Sequence, residues 1–175
     1  MESVNAAATM PALAAGRPTF ASVAEAELDA VHAYLLFLTG DRSVAEDVAG
    51  ETFEKAFRLW RRFDPRRGTA RAWLCSIARS AALDHLRAEE RRRRRELRYA
   101  RETRTVDEPS WGDGAAAAAL RKLAPADREV VALRVVLELD APTTARILGI
   151  SRTACSTRLS RALQRLEELM TDGDV

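Results

Sequence analysis

The residues best suited to chemistry in this chain are arginines, hydroxyls and aromatic rings, and they fall in two separate stretches. The later stretch, residues 149–169, reads GISRTACSTRLSRALQRLEEL. On a helix with 100° between successive residues, one stripe of it is apolar and the opposite face is polar. The apolar stripe comprises Cys155, Leu159, Ala162, Leu166 and Leu169, and the polar face comprises Thr153, Thr157, Ser160, Arg161 and Arg165, with Arg158 on its flank. Hydroxyls and guanidinium groups bond the phosphates and base edges of nucleic acid, so this helix is predicted to contact DNA.

The earlier stretch, residues 57–73, reads FRLWRRFDPRRGTARAW and holds four of the ten aromatic residues of the chain. Aromatic rings among arginines suit single-stranded nucleic acid, because unstacked bases rest on ring faces while arginine follows the backbone. The alternative is that the rings belong to the core of two helices. We expect that core role for Phe57 and Trp73.

The charge of the chain is unevenly distributed along its length. Residues 1–57 carry 3 basic and 9 acidic side chains, residues 58–104 carry 16 and 6, and residues 105–175 carry 9 and 11. The middle segment includes the run of five arginines at 91–95. This distribution predicts a polyanionic partner for the middle and a basic partner for the front. The arginine run is either the solvated end of a helix or a contact with duplex phosphates, and we favour the second.

The remaining composition excludes several classes of protein. Cys75 and Cys155 are isolated in apolar helical contexts, so we expect neither a disulfide framework nor a zinc site, and a reducing cytoplasm fits. The N-terminus has no basic segment followed by a compact apolar one, and no stretch approaches 18 uninterrupted apolar residues. We therefore predict a disordered tail over residues 1–22, cytoplasmic localisation and no membrane insertion.

Helical spacing of the apolar residues predicts an all-α fold with two small helical domains joined by a flexible linker. Three helices are expected in residues 23–98, at about 24–38, from Ser43 to about 62, and from 69 to the arginine run. Residues 99–114 are the predicted linker, able to span roughly 55 Å. Four helices are expected in residues 115–171, at about 115–123, 126–139, 142–148 and 152–170. Only Gly149, Ile150 and Ser151 join the last two, which is typical of a helix-turn-helix.

Two segments of the chain resemble a known family in the expected order. Residues 45–93, AEDVAGETFEKAFRLWRRFDPRRGTARAWLCSIARSAALDHLRAEERRR, resemble region 2 of bacterial sigma factors of the extracytoplasmic-function (ECF) class, within the sigma-70 family. Residues 120–169, LRKLAPADREVVALRVVLELDAPTTARILGISRTACSTRLSRALQRLEEL, resemble their region 4. The resemblance covers more than half of the chain and is far more specific than a helix-turn-helix alone.

The resemblance implies that the chain binds core RNA polymerase, directs it to promoters and helps melt DNA, with no enzymatic activity and no cofactor. It implies contacts with the β′ clamp helices through Asp47, Glu51, Thr52 and Phe53, and with the β flap through region 4. It implies minus-ten recognition by the loop Phe63–Thr69 and by Arg66, Arg67, Arg71, Trp73, Arg79, Ser80, Asp84 and Arg87. It implies minus-thirty-five recognition by Arg152, Thr153, Ser156, Thr157, Arg158 and Arg161. Many relatives are held by an anti-sigma factor, and the sequence leaves open whether this chain has one.

Three other interpretations stay open beside the resemblance. Glu46, Asp47 and Glu51 could bind a divalent metal, although no histidine or further carboxylate nearby completes such a site. The chain could be an autonomous helix-turn-helix regulator that binds a palindromic duplex without polymerase. It could also be a nuclease, but His32 and His85 lie far apart and have no evident partner.

Gly50 stands where members of this family usually have glutamine. A glycine at this position lowers the stability of the helix by about 1 kcal/mol relative to alanine.

Overall fold

The computed structural model describes residues 18–99 and 115–171, and these residues form seven α-helices and no strand. The first half contains α1 (Phe20–Thr39), α2 (Arg42–Leu59) and α3 (Ala70–Tyr99). The second half contains α4 (Ala115–Lys122), α5 (Pro125–Val131), α6 (Ala141–Leu148) and α7 (Arg152–Thr171). The prediction of an all-α fold is confirmed for this part of the chain.

The predicted tail and linker fall mostly outside the described residues, which exclude 1–17 and 100–114. Helix α1 begins at Phe20, earlier than predicted, because Thr19 caps it. The Thr19 hydroxyl accepts a hydrogen bond from the backbone N–H of Ser22 at 3.2 Å. A threonine in this position satisfies a helix N–H that would otherwise lack a partner.

Helices α1, α2 and α3 pack pairwise against one another in a three-helix bundle. The chain turns between α1 and α2 at Gly40, which has a φ of 72° and donates its N–H to Leu36 at 2.9 Å. Positive φ of this kind is available to glycine without a steric penalty. Asp41, rather than the predicted Ser43, caps α2 by accepting from the N–H of Val44 at 2.9 Å.

The predicted single helix over residues 126–139 is wrong in its second part. Helix α5 ends at Val131, and a π-helical turn follows over Ala132–Val136. The N–H of Leu137 bonds the carbonyl of Ala132, five residues earlier, at 2.9 Å. The wider turn ends with Glu138 at a φ of 54° and brings both Leu137 and Leu139 into the core. Helical periodicity does not reveal such an insertion.

Helices α6 and α7 form the predicted helix-turn-helix. Asp140 caps α6 by accepting from the N–H of Thr143 at 2.7 Å. Gly149, with a φ of 69°, ends α6, and the N–H of Ile150 bonds the carbonyl of Ala145 at 3.0 Å. The Ser151 hydroxyl then accepts from the N–H of Ala154 at 3.1 Å, which confirms its predicted capping role.

The two halves of the molecule pack on each other. Helix α5 contacts α1, and α6 contacts α3. One continuous apolar cluster includes Leu35 and Leu74 from the first half together with Val130 and Leu133 from the second. The sequence predicted two separate modules and gave no indication of this contact.

Candidate nucleic-acid interface

Helix α7 presents the predicted polar face to solvent. Cys155 and Ala162 are buried, and Leu159, Leu166 and Leu169 pack against the core, which confirms the apolar stripe. The predicted DNA-contacting residues on the other side are exposed, except for Arg158, which is half-buried; the exposed ones are Arg152, Thr153, Ser156, Thr157 and Arg161. Arg165 is paired with Glu168 at 2.9 Å. The face has the hydroxyl and guanidinium groups that duplex recognition requires.

The loop after α2 is ordered by one carboxylate. Asp64 accepts hydrogen bonds from the backbone N–H of Arg66 at 3.0 Å and from its guanidinium at 3.1 and 3.2 Å. The side-chain hydrogen bond from Arg66, followed by the backbone one, lowers the pKa of Asp64. Both Arg66 and Arg67 are exposed. Gly68 follows with a φ of 153°, which a side chain would strain. The loop therefore holds two arginines at the surface in a fixed turn.

Three aromatic rings, those of Trp60, Phe63 and Trp73, contact one another where this loop meets the helices. Trp60 stacks on Phe63 with ring centroids 5.0 Å apart, and Trp73 lies 5.3 Å from Phe63. Phe63 is buried and Trp73 is half-buried, so the predicted core role of Trp73 is confirmed in part. The prediction for Phe57 is wrong, because its ring is 65% exposed; its centroid lies 5.3 Å from that of Phe20.

Two arginines in the first third of α3 are paired with carboxylates of other helices. The Nε of Arg71 lies 2.6 Å from Oε2 of Glu27 in α1. The Nε of Arg79 lies 2.8 Å from Oε1 of Glu129 in α5. These two predicted DNA contacts are paired with carboxylates of other helices, whereas the partner of Arg66 is Asp64 of its own loop.

The rest of α3 is more open. Ser80 is exposed, and Asp84 forms a surface pair with Arg87 at 3.2 Å. The arginine run at 91–95 is exposed throughout. Within it, Arg92 pairs with Glu89 and Arg94 with Glu90 on the same helix, so about one turn of α3 carries local ion pairs. Exposed pairs of this kind stabilise a helix only weakly and are easily exchanged for phosphate.

Helix α2 carries the predicted polymerase-facing residues. Asp47 and Glu51 are exposed together with Glu46 and Glu54, and these four residues form the acidic face. Phe53 is half-buried against the core. Thr52 departs from the prediction: its side chain is fully buried and its hydroxyl donates to the carbonyl of Val48 at 2.7 Å. The Thr52 side chain therefore packs inside the three-helix bundle and offers no surface to a partner.

Two further properties bear on the alternatives. Among the described residues, no group of three or more histidine, cysteine, aspartate or glutamate side chains is arranged to hold a metal ion. No helix within residues 18–99 and 115–171 has the length and apolar content needed to cross a membrane.

Comparisons with known proteins agree with the two halves of the fold. A family model described as sigma-70 region 2 matches residues 23–92, and one described as sigma-70 region 4 matches residues 114–166. The probable RNA polymerase sigma-C factor of Mycobacterium bovis is 30% identical over 170 residues, which cover 94% of this chain and 90% of that protein. The chain belongs to the ECF class of the sigma-70 family of RNA polymerase sigma factors.

Two other sigma factors extend the comparison. The ECF RNA polymerase sigma factor BldN of Streptomyces coelicolor is 32% identical over 151 residues, 82% of this chain, and the match spans only 57% of BldN. The sigma factor RpoE of Bartonella quintana, solved in complex with the anti-sigma factor NepR, superposes with a TM-score of 0.74 at 24% identity. That match covers 87% of this chain and 96% of RpoE, and it shows the shared fold.

The sequence missed one feature of this sigma factor, the contact between its two halves. Glu129 accepts from the Tyr34 hydroxyl at 2.9 Å as well as from Arg79, and Arg146 of α6 donates to the carbonyl of Arg67 at 3.3 Å. The available signal was an acidic residue at a core-facing position of α5, directly before the apolar residues Val130 and Val131. Such a residue needs a buried partner, but its position does not reveal which one.

Proposed function

We propose that this sigma factor binds core RNA polymerase, directs it to promoters and helps open the DNA there. The observation that carries the proposal is the presence, in one chain, of the open polar face of α7 and the arginine-bearing loop Phe63–Thr69. The first suits a duplex groove, and the second, with its aromatic support, suits unpaired bases. The two surfaces belong to regions 4 and 2, in the order that promoter recognition requires.

At residue level, we assign the minus-thirty-five element to the exposed face of α7 and the minus-ten element to the loop and α3. Arg66 and Arg67 would follow the backbone of the melted strand, and the rings of Phe63 and Trp73 would support the loop from below. Taking a base out of the stack costs a few kcal/mol. Contacts with the displaced strand would offset that cost. The arginine run at 91–95 would contact phosphates of the adjoining duplex.

We assign polymerase binding to the acidic face of α2. Its carboxylates lie on one exposed side of a helix, as expected for docking on a basic surface. Asp47 and Glu51 would make direct contacts, with Phe53 at the edge, while Thr52 supports the helix from inside. Gly50 lies within this face and leaves space where a side chain would stand.

We also propose that the chain has no catalytic activity, since polymerase performs the chemistry, and that it acts in the cytoplasm beside polymerase. An anti-sigma factor is a further proposed partner, in keeping with its family. No observation favours the nuclease or the autonomous regulator over this function.

The test is binding to purified core RNA polymerase, followed by transcription from a library of random promoter sequences. The chain should elute together with core, and transcripts that depend on it should share two sequence elements.

Glu51→Arg should weaken the complex with core, because it reverses a charge at the centre of the acidic face. Glu25→Arg, an exposed position on α1, makes the same change elsewhere and should leave binding unaltered. Failure to bind core, or tight binding of a palindromic duplex without it, would overturn the proposal.

A further inference from the structure

An exposed aromatic ring lies beside the acidic face of α2. Phe57 is 65% exposed, more than any other large apolar residue among those described. Its ring centroid lies 5.3 Å from that of Phe20, which packs against the core. A ring that is supported from behind loses little freedom when a partner covers it. An exposed aromatic side chain of this kind is typical of the residues that anchor a protein interface.

Gly50 lies two turns before Phe57 on the same side of α2. Residues seven positions apart share a helix face. Among the described residues, a Cβ at Gly50 would meet nothing within 4 Å beyond its own stretch of helix. The backbone is therefore open at this point, and a partner can approach α2 closely. Glycine also lowers the stability of a helix, so folding alone does not favour it here.

Gly50 and Phe57 are two corners of a depression on the surface of α2. When helices pack, a side chain of one helix inserts between four residues of the other. Four such neighbours are spaced i, i+3, i+4 and i+7. Here they are Gly50, Phe53, Glu54 and Phe57, which together define the α2 depression. Because two phenylalanines border it and no side chain fills one corner, the depression fits a large apolar side chain.

The charges around the α2 depression restrict the partner further. Glu46 pairs with Arg42 on the same helix at 3.4 Å. Glu54 pairs with Arg58 at 3.2 Å. Exposed pairs of this kind are weak, so a basic residue of a partner can replace either arginine. Carboxylates around an apolar centre suit a helix that carries one large apolar side chain between arginines or lysines.

We propose that core RNA polymerase inserts a large apolar side chain of one of its helices into the α2 depression, with Phe57 as the anchor of the contact. Gly50 determines specificity, because a larger residue there would fill the space that the partner needs. The carboxylates orient the partner and accelerate its binding, and the ring supplies most of the affinity. This inference rests on the proposed binding to core polymerase. It makes Gly50 an opening for the partner rather than a lost contact.

The test measures binding of the full, fluorescently labelled chain to purified core RNA polymerase by fluorescence anisotropy. Phe57→Ala should weaken binding about 30-fold, as for a central interface residue. Leu28→Ala removes an apolar side chain that is 49% exposed on α1, and it should leave binding unaltered. Raising the salt from about 0.1 M to about 0.5 M screens exposed charges. The loss for Phe57→Ala should persist at the higher salt, whereas the loss for Glu51→Arg should shrink.

A series of substitutions at Gly50 tests whether the partner needs the open corner. Binding should weaken progressively from Gly50→Ala through Gly50→Gln to Gly50→Leu, by about tenfold for leucine, as for an overfilled packing site. All three new residues favour a helix more than glycine does. Each variant should therefore unfold at a higher temperature than the original chain, as measured by circular dichroism. A variant that is more stable and yet binds more weakly has lost its fit to the partner and not its fold.

Two results would overturn the inference and leave the proposed function intact. In the first, Phe57→Ala binds core as tightly as the original chain does, while Glu51→Arg binds more weakly. In the second, Gly50→Gln binds core as tightly as the original chain or more tightly, because the glycine is then a lost contact and not an opening. If the original chain fails to bind core at all, the inference and the proposed function are both refuted.

Discussion

The polar face of α7 and the arginine face of α3 carry similar side chains but differ in what those side chains contact. On α7, Arg152 and Arg161 are exposed. On α3, the guanidinium groups of Arg71 and Arg79 meet carboxylates from α1 and α5 at 2.6 and 2.8 Å. Two segments with the same chemistry thus differ in availability, and tertiary packing sets the difference.

The exposed and the paired arginines are expected to bind DNA in different ways. An exposed arginine exchanges water and counterions for phosphate, so its binding depends mainly on salt. An arginine held by a buried carboxylate must first lose that partner, so its binding depends also on a conformational equilibrium. In this structure the α7 face is available to DNA, whereas Arg71 and Arg79 on α3 are already paired with carboxylates.

The largest expected effect comes from disturbing the packing that places the α3 arginines. Leu74 is fully buried on α3, between Arg71 and Arg79 in sequence. Leu74→Ala should lower the free energy of unfolding by about 2–5 kcal/mol, because it removes buried methyl groups and leaves a cavity. Urea unfolding followed by tryptophan fluorescence measures the loss, since Trp60 and Trp73 lie in the same half.

Leu86→Ala is the matched control on the same helix. Its side chain is 37% exposed, so truncation should cost far less than at Leu74. Equal losses for the two variants would mean that α3 is not supported by this core. The buried core would then not be what positions Arg71 and Arg79.

A smaller effect is expected at the open surface. Arg158→Ala and Arg161→Ala should each weaken promoter binding by the complex with core polymerase by about 1–3 kcal/mol, as for loss of one base or phosphate contact. Electrophoretic mobility shift measures the change. Neither variant should alter the radius of gyration or the binding to core, because α7 presents these residues away from its apolar stripe. Equal loss of core binding would contradict the role assigned to α7.

The α7 face was predictable from the sequence because its information is local. A period of 3.6 residues, a glycine turn and a serine cap determine which side of α7 is buried, and the structure agrees at Cys155 and Ala162. The partners of Arg71 and Arg79 are 44 and 50 positions away, so no local pattern identifies them. The exposure of Phe57 and the π-helical turn at Ala132–Val136 likewise depend on tertiary packing.

The smallest expected effect is a pH dependence of the contact between Tyr34 and Glu129. Burial first, and then the negative charge of Glu129, raise the pKa of Tyr34 well above its ordinary value. Because the folded state holds this proton more tightly than the unfolded chain, the stabilisation is complete below the unfolded pKa of about 10. It is lost as the pH rises toward the higher folded value. Tyr34→Phe has no such proton to lose.

The difference in unfolding free energy between the original chain and Tyr34→Phe should therefore shrink as the pH rises above about 10. Urea unfolding at a series of alkaline pH values measures it, and the subtraction cancels groups common to both chains. In the Glu129→Gln background the shrinkage should begin at the same pH but level off at a lower pH and be smaller in total, because one cause of the raised pKa of Tyr34 is gone while burial remains. A difference that stays constant with pH would show that the Tyr34 hydroxyl is not buried against Glu129, and the buried carboxylate would then not distinguish Arg79 from the exposed arginines of α7.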